Sequence, residues 1–265
     1  MNRSHKEGGF LGTQFEILDI FIILIAIGYV MVIVILGDII QKKTKVADFS
    51  RKFIHIFAGF SALSTFFLNW HWLADFIALL FVIMIYLANP KSSIKFLKKM
   101  FNSMARDEDK EQEHIWGPFY YAISILILTF IFTFPNPSID LVQYYIFPSA
   151  ALSIMYIGDG LAPIIGKKFG KKEFKFVKGA IRTIPGSLTL LITGFLSSSV
   201  ILIIFGVYYY QLLSIYSVMI ISLIGSICAT FIEMFSPKGL DNLFLPLLTA
   251  PILMIIYNGL QIIGI

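Results

Sequence analysis

ILDIFIILIAIGYVMVIVILG, residues 17–37, is apolar over enough length to cross a bilayer, which takes about 20 residues at about 1.5 Å rise each. Seven more runs of this kind follow, near 53–68, 71–89, 118–135, 143–165, 185–206, 212–232 and 243–262. The second and third form the weakest pair. They are short, and only Asn69 and Trp70 separate them, so a tight hairpin at headgroup level is expected. Across all 265 residues, 57% are hydrophobic and 14% charged, and the mean hydropathy is +0.82. A soluble domain carries about a quarter charged residues, so that class is excluded. Disordered, collagenous and disulfide-rich classes fail as well, since Cys228 is the only cysteine and lies in an apolar run. The expectation is an all-α polytopic membrane helix bundle of about eight spans. Residues 1–265 are read as one integral membrane domain, with a polar tail at 1–16 and no cleavable signal.

The cations fall on alternate loops. Lys42, Lys43, Lys45, Arg51 and Lys52 lie in the first such loop, and Lys91, Lys95, Lys98, Lys99, Arg106 and Lys110 in the second. Lys167, Lys168, Lys171, Lys172, Lys175, Lys178 and Arg182 occupy the third, and Lys238 the fourth. Apart from Arg3 and Lys6 in the tail, these are all the basic residues of the chain. Lys/Arg excess marks the cytoplasmic side, so both termini are expected outside and the four basic loops in the cytoplasm. The net charge of +5 is then a record of topology, and no nucleic-acid partner is expected. The third loop holds seven cations against the single acid Glu173. A polyanionic ligand accounts for that excess, and so does simple redundancy.

Polar residues gather in three places, all on the basic side. Arg51 and Lys52 precede His55 by four and three residues, so the three can share one helical face. Snorkelling explains the two cations, while a histidine at membrane depth is costly and points to function. Next, residues 158–187 read GDGLAPIIGKKFGKKEFKFVKGAIRTIPGS. Gly158, Asp159, Gly160 and Pro163 suggest a broken membrane helix whose second half starts at Asp159 or Gly160 and offers free N–H groups to phosphate. Asp159 is either only that cap or a ligand for a Mg²⁺–nucleotide. Residues 233–246, EMFSPKGLDNLFLP, bring Glu233, Asp241 and Asn242 to the same side. They form a capped hairpin, a divalent-metal site shared with Asp159, or both. The mixed-charge segment 106–113 reads as a solvated surface. His71 between Trp70 and Trp72, and Tyr208 to Tyr210, read as interfacial belts, with Asp75 partnered one turn deeper.

At these clusters the chain resembles the CTP-dependent polyprenol kinase family, which includes dolichol and phytol kinases. It is more distantly similar to CDP-diacylglycerol synthases. The matching pieces are RKFIH at 51–55, EHIWGPFYY at 113–121, GDGLAPIIGKKFGKK at 158–172, RTIPGSLT at 182–189 and EMFSPKGLDNLFLP at 233–246. They stand in family order, and the last leans to the phytol and dolichol kinase branch. Two positions depart from the pattern. Pro185 stands where the family commonly has an acidic residue, and Pro163 where it has a small or polar one.

The resemblance implies phosphorylation of a long-chain isoprenoid alcohol (dolichol, polyprenol, phytol or geranylgeraniol) with CTP as donor and Mg²⁺ as cofactor. It implies Asp159, Glu233 and Asp241 as metal ligands, and phosphate binding by Lys167, Lys168, Lys178 and Arg182. Gly158, Gly160, Gly166, Gly170, Gly186 and Ser187 would line the nucleotide, with Arg51, Lys52 and Asn242 in support. His55 or one of the carboxylates would accept the hydroxyl proton. A cytidylyltransferase would use the same clusters but attack the α-phosphorus. A small lipid or solute transporter would need charged groups on the opposite side too. The expected partners are a membrane lipid and a nucleoside triphosphate, in a cell membrane or an endoplasmic-reticulum membrane.

Overall fold

The computed structural model describes residues 15–44, 47–105, 109, 114–134, 141–177 and 180–264. Among these, six helices are long and apolar enough to cross a membrane. All eight expected segments are helical. The chain runs through α1 (Ile17–Thr44), α2 (Ala47–Ala58), a 3₁₀ segment (Gly59–Phe67), α3 (Leu73–Leu87), α4 (Lys95–Met104) and α5 (Trp116–Thr133). It continues through α6 (Ile146–Ser153), a π segment (Ile154–Asp159), α7 (Gly160–Phe169), α8 (Ile184–Ile201), α9 (Ile215–Phe235) and α10 (Asp241–Ile262). The molecule is an all-α membrane bundle. Of the polar tail at 1–16 and the mixed-charge segment 106–113, all but residues 15, 16 and 109 lie outside the described residues.

Burial ranks the helices. The best apolar window of Val142–Phe169 is 72% buried, against 28% for Ile17–Thr44. The former is the central post of the bundle, and Tyr145, Phe147, Leu152, Ile154, Met155 and Tyr156 on it are fully enclosed. The first helix shows Leu18, Phe21, Leu24 and Ile25 outward, as a lipid-facing span should. The short hairpin is present too. The 3₁₀ segment ends at Phe67, α3 starts at Leu73, and the backbone N–H of Asn69 donates to Asp19 Oδ1 at 2.7 Å. Thr133 Oγ1 donates to Asp75 Oδ2 at 3.0 Å, which supplies the partner expected for that acid.

Two departures from regular α geometry shape the site. The first corrects an expectation. The Gly158-Asp159-Gly160 stretch does not break the helix. Asp159 keeps right-handed helical angles with no side-chain cap, and the Gly160 N–H donates to the Ile157 carbonyl. The chain widens into a π turn there instead, so these N–H groups stay inside the helix and are not offered to an anion. Each residue added to a helix turns the following side chains by about 100°, and such π turns recur at functional sites. The second departure is the 3₁₀ run after α2. It rises about 2 Å per residue, and it begins where Gly59 meets Tyr156 and Tyr121. A Cβ at Gly59 would overlap the Tyr156 ring and the Tyr121 hydroxyl.

Gly59→Val therefore lowers the melting temperature in detergent by several degrees, because overpacking costs about 1–3 kcal/mol. Gly259→Ala, with nothing within 4 Å of its added carbon, leaves the melting temperature unchanged or slightly raised. Equal effects of the two substitutions would contradict the close crossing.

Candidate active site

Asp159, Glu233 and Asp241 come from three different helices, yet their carboxylate oxygens lie within 4.8 Å of one another. Bare anions this close would repel by about 4 kcal/mol per pair even at a moderate effective dielectric. Two cations are built in against that. Arg182 pairs through Nε with Glu233 Oε1, and its Nη2 lies 3.3 Å from Asp241 Oδ2. Lys52 Nζ lies 3.2 Å from Asp159 Oδ2 and 2.9 Å from the Asp159 carbonyl.

The local sequence explains each placement. Pro163 has no N–H to give to the carbonyl four residues back, which is that of Asp159. That carbonyl is left to accept from Lys52. Arg182 sits on a two-residue strand, Arg182–Thr183, paired antiparallel with Glu173–Phe174. Thr183 then caps α8, its Oγ1 accepting from the Gly186 N–H at 3.3 Å. Pro185 falls in the first turn of α8, where a missing N–H costs nothing. The residue that departs from the resembled pattern thus fits the helix start. Gly166 and Gly186 let α7 approach α8 closely at this point, and a Cβ on Gly186 would lie 3.0 Å from Thr183 Oγ1.

His55 and Lys52 share one face of α2, as the spacing implied, and both reach Asp159. His55 Nε2 lies 3.6 Å from Asp159 Oδ2 and 3.2 Å from the Met155 carbonyl. A carbonyl only accepts, so that bond places the proton on Nε2 and leaves Nδ1 as the basic nitrogen. The Tyr121 hydroxyl donates to the His55 carbonyl at 2.9 Å, and the two rings lie 4.8 Å apart. Tyr121 lies within the 113–121 stretch, but a tyrosine between apolar residues carried no role by itself. Asn242 Nδ2 donates to the Gly117 carbonyl at 3.0 Å, tying α10 to α5.

The cluster stands in a cavity of about 1100 Å³, above the usual range of about 300–1,000 Å³ for one small ligand. Arg51, Lys52, His55, Asp159, Gly166, Lys167, Gly170, Arg182, Gly186, Ser187, Glu233, Asp241 and Asn242 line its polar part. Ser187 Oγ and Asn242 Oδ1 there are buried with no hydrogen-bond partner among the described residues. Other expected residues sit elsewhere. Gly158 packs against Leu190 of α8 and Gly160 against Ile56 of α2, so both serve helix crossings. Lys168 is exposed, with Nζ 5.3 Å from the centre of the Phe169 ring. Lys178 lies outside the described residues. The cavity also has apolar walls from α1, the 3₁₀ segment, α3 and α5, including Val34, Ala62, Ala78, Phe81 and Ile125. No local motif announced those walls, because each residue alone reads as an ordinary membrane-helix side chain.

No family model matches the chain, and no solved structure matches it. Curated proteins do. The chain is 30% identical over 154 residues to a probable chloroplastic phytol kinase of Triticum aestivum, covering 57% of this chain and 48% of that protein. It is 30% identical over 138 residues to the phytol kinase of Synechocystis sp., covering 51% and 52%. A probable chloroplastic phytol kinase of Zea mays is 24% identical over 190 residues, covering 69% and 58%. The chain spans about half the length of the curated relatives it matches. These similarities agree with the phytol kinase part of the resemblance carried by the five motifs.

Proposed function

We propose that the protein is a lipid kinase that moves the γ-phosphoryl group of CTP to the hydroxyl of a long-chain isoprenoid alcohol at the cytoplasmic end of the bundle. One observation carries the reading. A cluster of three carboxylates and two cations stands in the same cavity as a deep apolar cleft, so a phosphate-rich donor and a lipid tail have adjoining places. The relatives named as phytol kinases support the reaction class. CTP as donor follows from the resembled family, and the cytoplasmic side from the distribution of Lys and Arg.

The donor set suits a hard divalent cation. Asp159, Glu233 and Asp241 offer carboxylate oxygens only, which favours Mg²⁺ over softer metals. These three carboxylates would hold Mg²⁺, and the ion would supply positive charge against the negative charge that develops during phosphoryl transfer. Lys167, Arg182 and Lys52 bind the phosphates, and Ser187 Oγ donates the hydrogen bond it lacks within the protein. Lys168 contributes to the positive field from its exposed position.

In the reaction the alcohol oxygen forms a bond to the γ-phosphorus. The bond from that phosphorus to the bridging oxygen breaks, and CDP leaves with the electron pair. The hydroxyl proton passes to His55 Nδ1 or to one of the carboxylates. Tyr121 and the Met155 carbonyl hold the His55 segment in register with Asp159.

Asp159→Asn keeps the protein folded in membranes and lowers CTP-dependent phosphorylation of geranylgeraniol or phytol at least about a hundredfold, the scale of losing one stabilising group in a transition state. Near-normal turnover in that variant contradicts the metal role. Arg182→Met leaves two buried carboxylates without their cation, and stability falls by about 3–5 kcal/mol. Mn²⁺ binds the folded site and restores part of that loss, read as a rise in melting temperature. A variant whose melting temperature ignores Mn²⁺ would show that the cluster is not a cation site.

A further inference from the structure

We infer that the outer face of the small hairpin carrying Arg182 is a docking surface for anionic lipid headgroups on the basic side of the bundle. Lys171, Lys172 and Lys175 take the headgroups, and Phe176 enters the acyl layer beside them. The inference stands apart from the lipid-kinase reading, because this surface lies outside the cavity.

Two lipid-facing stripes lead up to the hairpin. On α8, Ile184, Leu188 and Ile192 are exposed at four-residue spacing, and on α9 Phe231 and Phe235 are exposed at the same spacing. Both helices are long and apolar enough to cross a membrane, so these stripes meet acyl chains. The hairpin prolongs them. The centre of the Phe176 ring lies 5.0 Å from that of Phe235 and 5.3 Å from that of Phe174. Phe176 and Ile181 are exposed, as is Phe169 at the end of α7. An apolar patch of this kind calls for a partner, and the rim of the bilayer is in contact with it already.

Lysines occupy the rest of that face. Lys171, Lys172 and Lys175 are exposed, and none of the three pairs with an acid among the described residues. None of them lines the cavity, whereas Lys167, Gly170 and Arg182 do. The cation excess of this loop thus divides between two anions, one inside the cavity and one outside. Lys175 stands between Phe174 and Phe176, an alternation that lets a ring enter the acyl layer while the ammonium stays with the headgroups. An anionic surface favours each nearby lysine by about fivefold. The face also matters to the site. Phe174 pairs with Arg182 across the hairpin, and Arg182 holds Glu233 and Asp241. Lipid bound outside therefore steadies the strand that positions this cation inside.

The test uses the full chain in nanodiscs of phosphatidylcholine, with or without phosphatidylglycerol. Native mass spectrometry counts the lipids retained by the protein, and hydrogen exchange follows the hairpin amides. Wild type is expected to retain phosphatidylglycerol over phosphatidylcholine by at least about tenfold, and the anionic lipid slows exchange in both strands. Lys171→Gln, Lys172→Gln and Lys175→Gln together lower that preference by at least about tenfold. The melting temperature of this triple variant in phosphatidylcholine holds, since exposed charges contribute little to folding. Phe176→Trp gains fluorescence that brominated phosphatidylcholine quenches beyond the level seen in wild type. Equal retention of the two lipids by wild type, or an unchanged preference in the folded triple variant, overturns the docking surface. Glycerol 3-phosphate in solution slowing exchange as much as phosphatidylglycerol does would overturn it as well, by marking a site for soluble anions. Loss of CTP binding by the triple variant with its lipid preference intact would assign the lysines to the nucleotide. No added quenching in Phe176→Trp would place that ring in water and overturn its insertion.

Discussion

Asp159, Glu233 and Asp241 lie close together with little side-chain exposure, and the site depends on keeping them there. Lys52 and Arg182 make that arrangement stable. Each comes from a segment remote in sequence. Lys52 joins α2 to the Asp159 turn, and Arg182 joins the small hairpin to α9 and α10. Removing either cation leaves a buried charge uncompensated, and such losses are large. The same arrangement suits a phosphoryl donor, since a divalent ion and a triphosphate bring opposite charges that the two side chains and three carboxylates can share.

The irregular backbone around the cluster follows from the same need. Pro163 releases the Asp159 carbonyl, and the π turn keeps Asp159 on the helix as it passes α2. In lipid, freed backbone groups must find partners within the protein, and Lys52 is that partner. On the other side of the cleft, the 3₁₀ segment stretches the wall that starts at His55.

Much of this was legible in the sequence. Apolar runs gave the eight helical segments; the two weakest are the ones that fall outside the six helices long and apolar enough to cross a membrane among the described residues, and one of them is half 3₁₀. The i, i+3 spacing of Lys52 and His55 put both on one helical face, and the tertiary packing sets that face against Asp159. Three separated stretches, at 51–55, 158–187 and 233–246, contributed to one site. Other features were not legible. Glycines flanking an aspartate suggested a broken helix, because local propensity cannot see Leu190 and Ile56 filling the space where a Cβ would go. Arg182 read as a phosphate ligand, yet its contacts with Glu233 and Asp241 depend on a hairpin whose pairing is tertiary. The cleft was invisible because Ala62, Ala74, Ala78 and Ala122 are ordinary residues in any membrane helix until they face one another.

The most direct measurement follows the label from CTP carrying radioactive phosphorus at either the α or the γ position, using purified protein with Mg²⁺ and geranylgeraniol or phytol. The account predicts that only γ-label reaches the lipid, giving an alkyl monophosphate and CDP. Label arriving from the α position, as a cytidine-containing lipid, would contradict it.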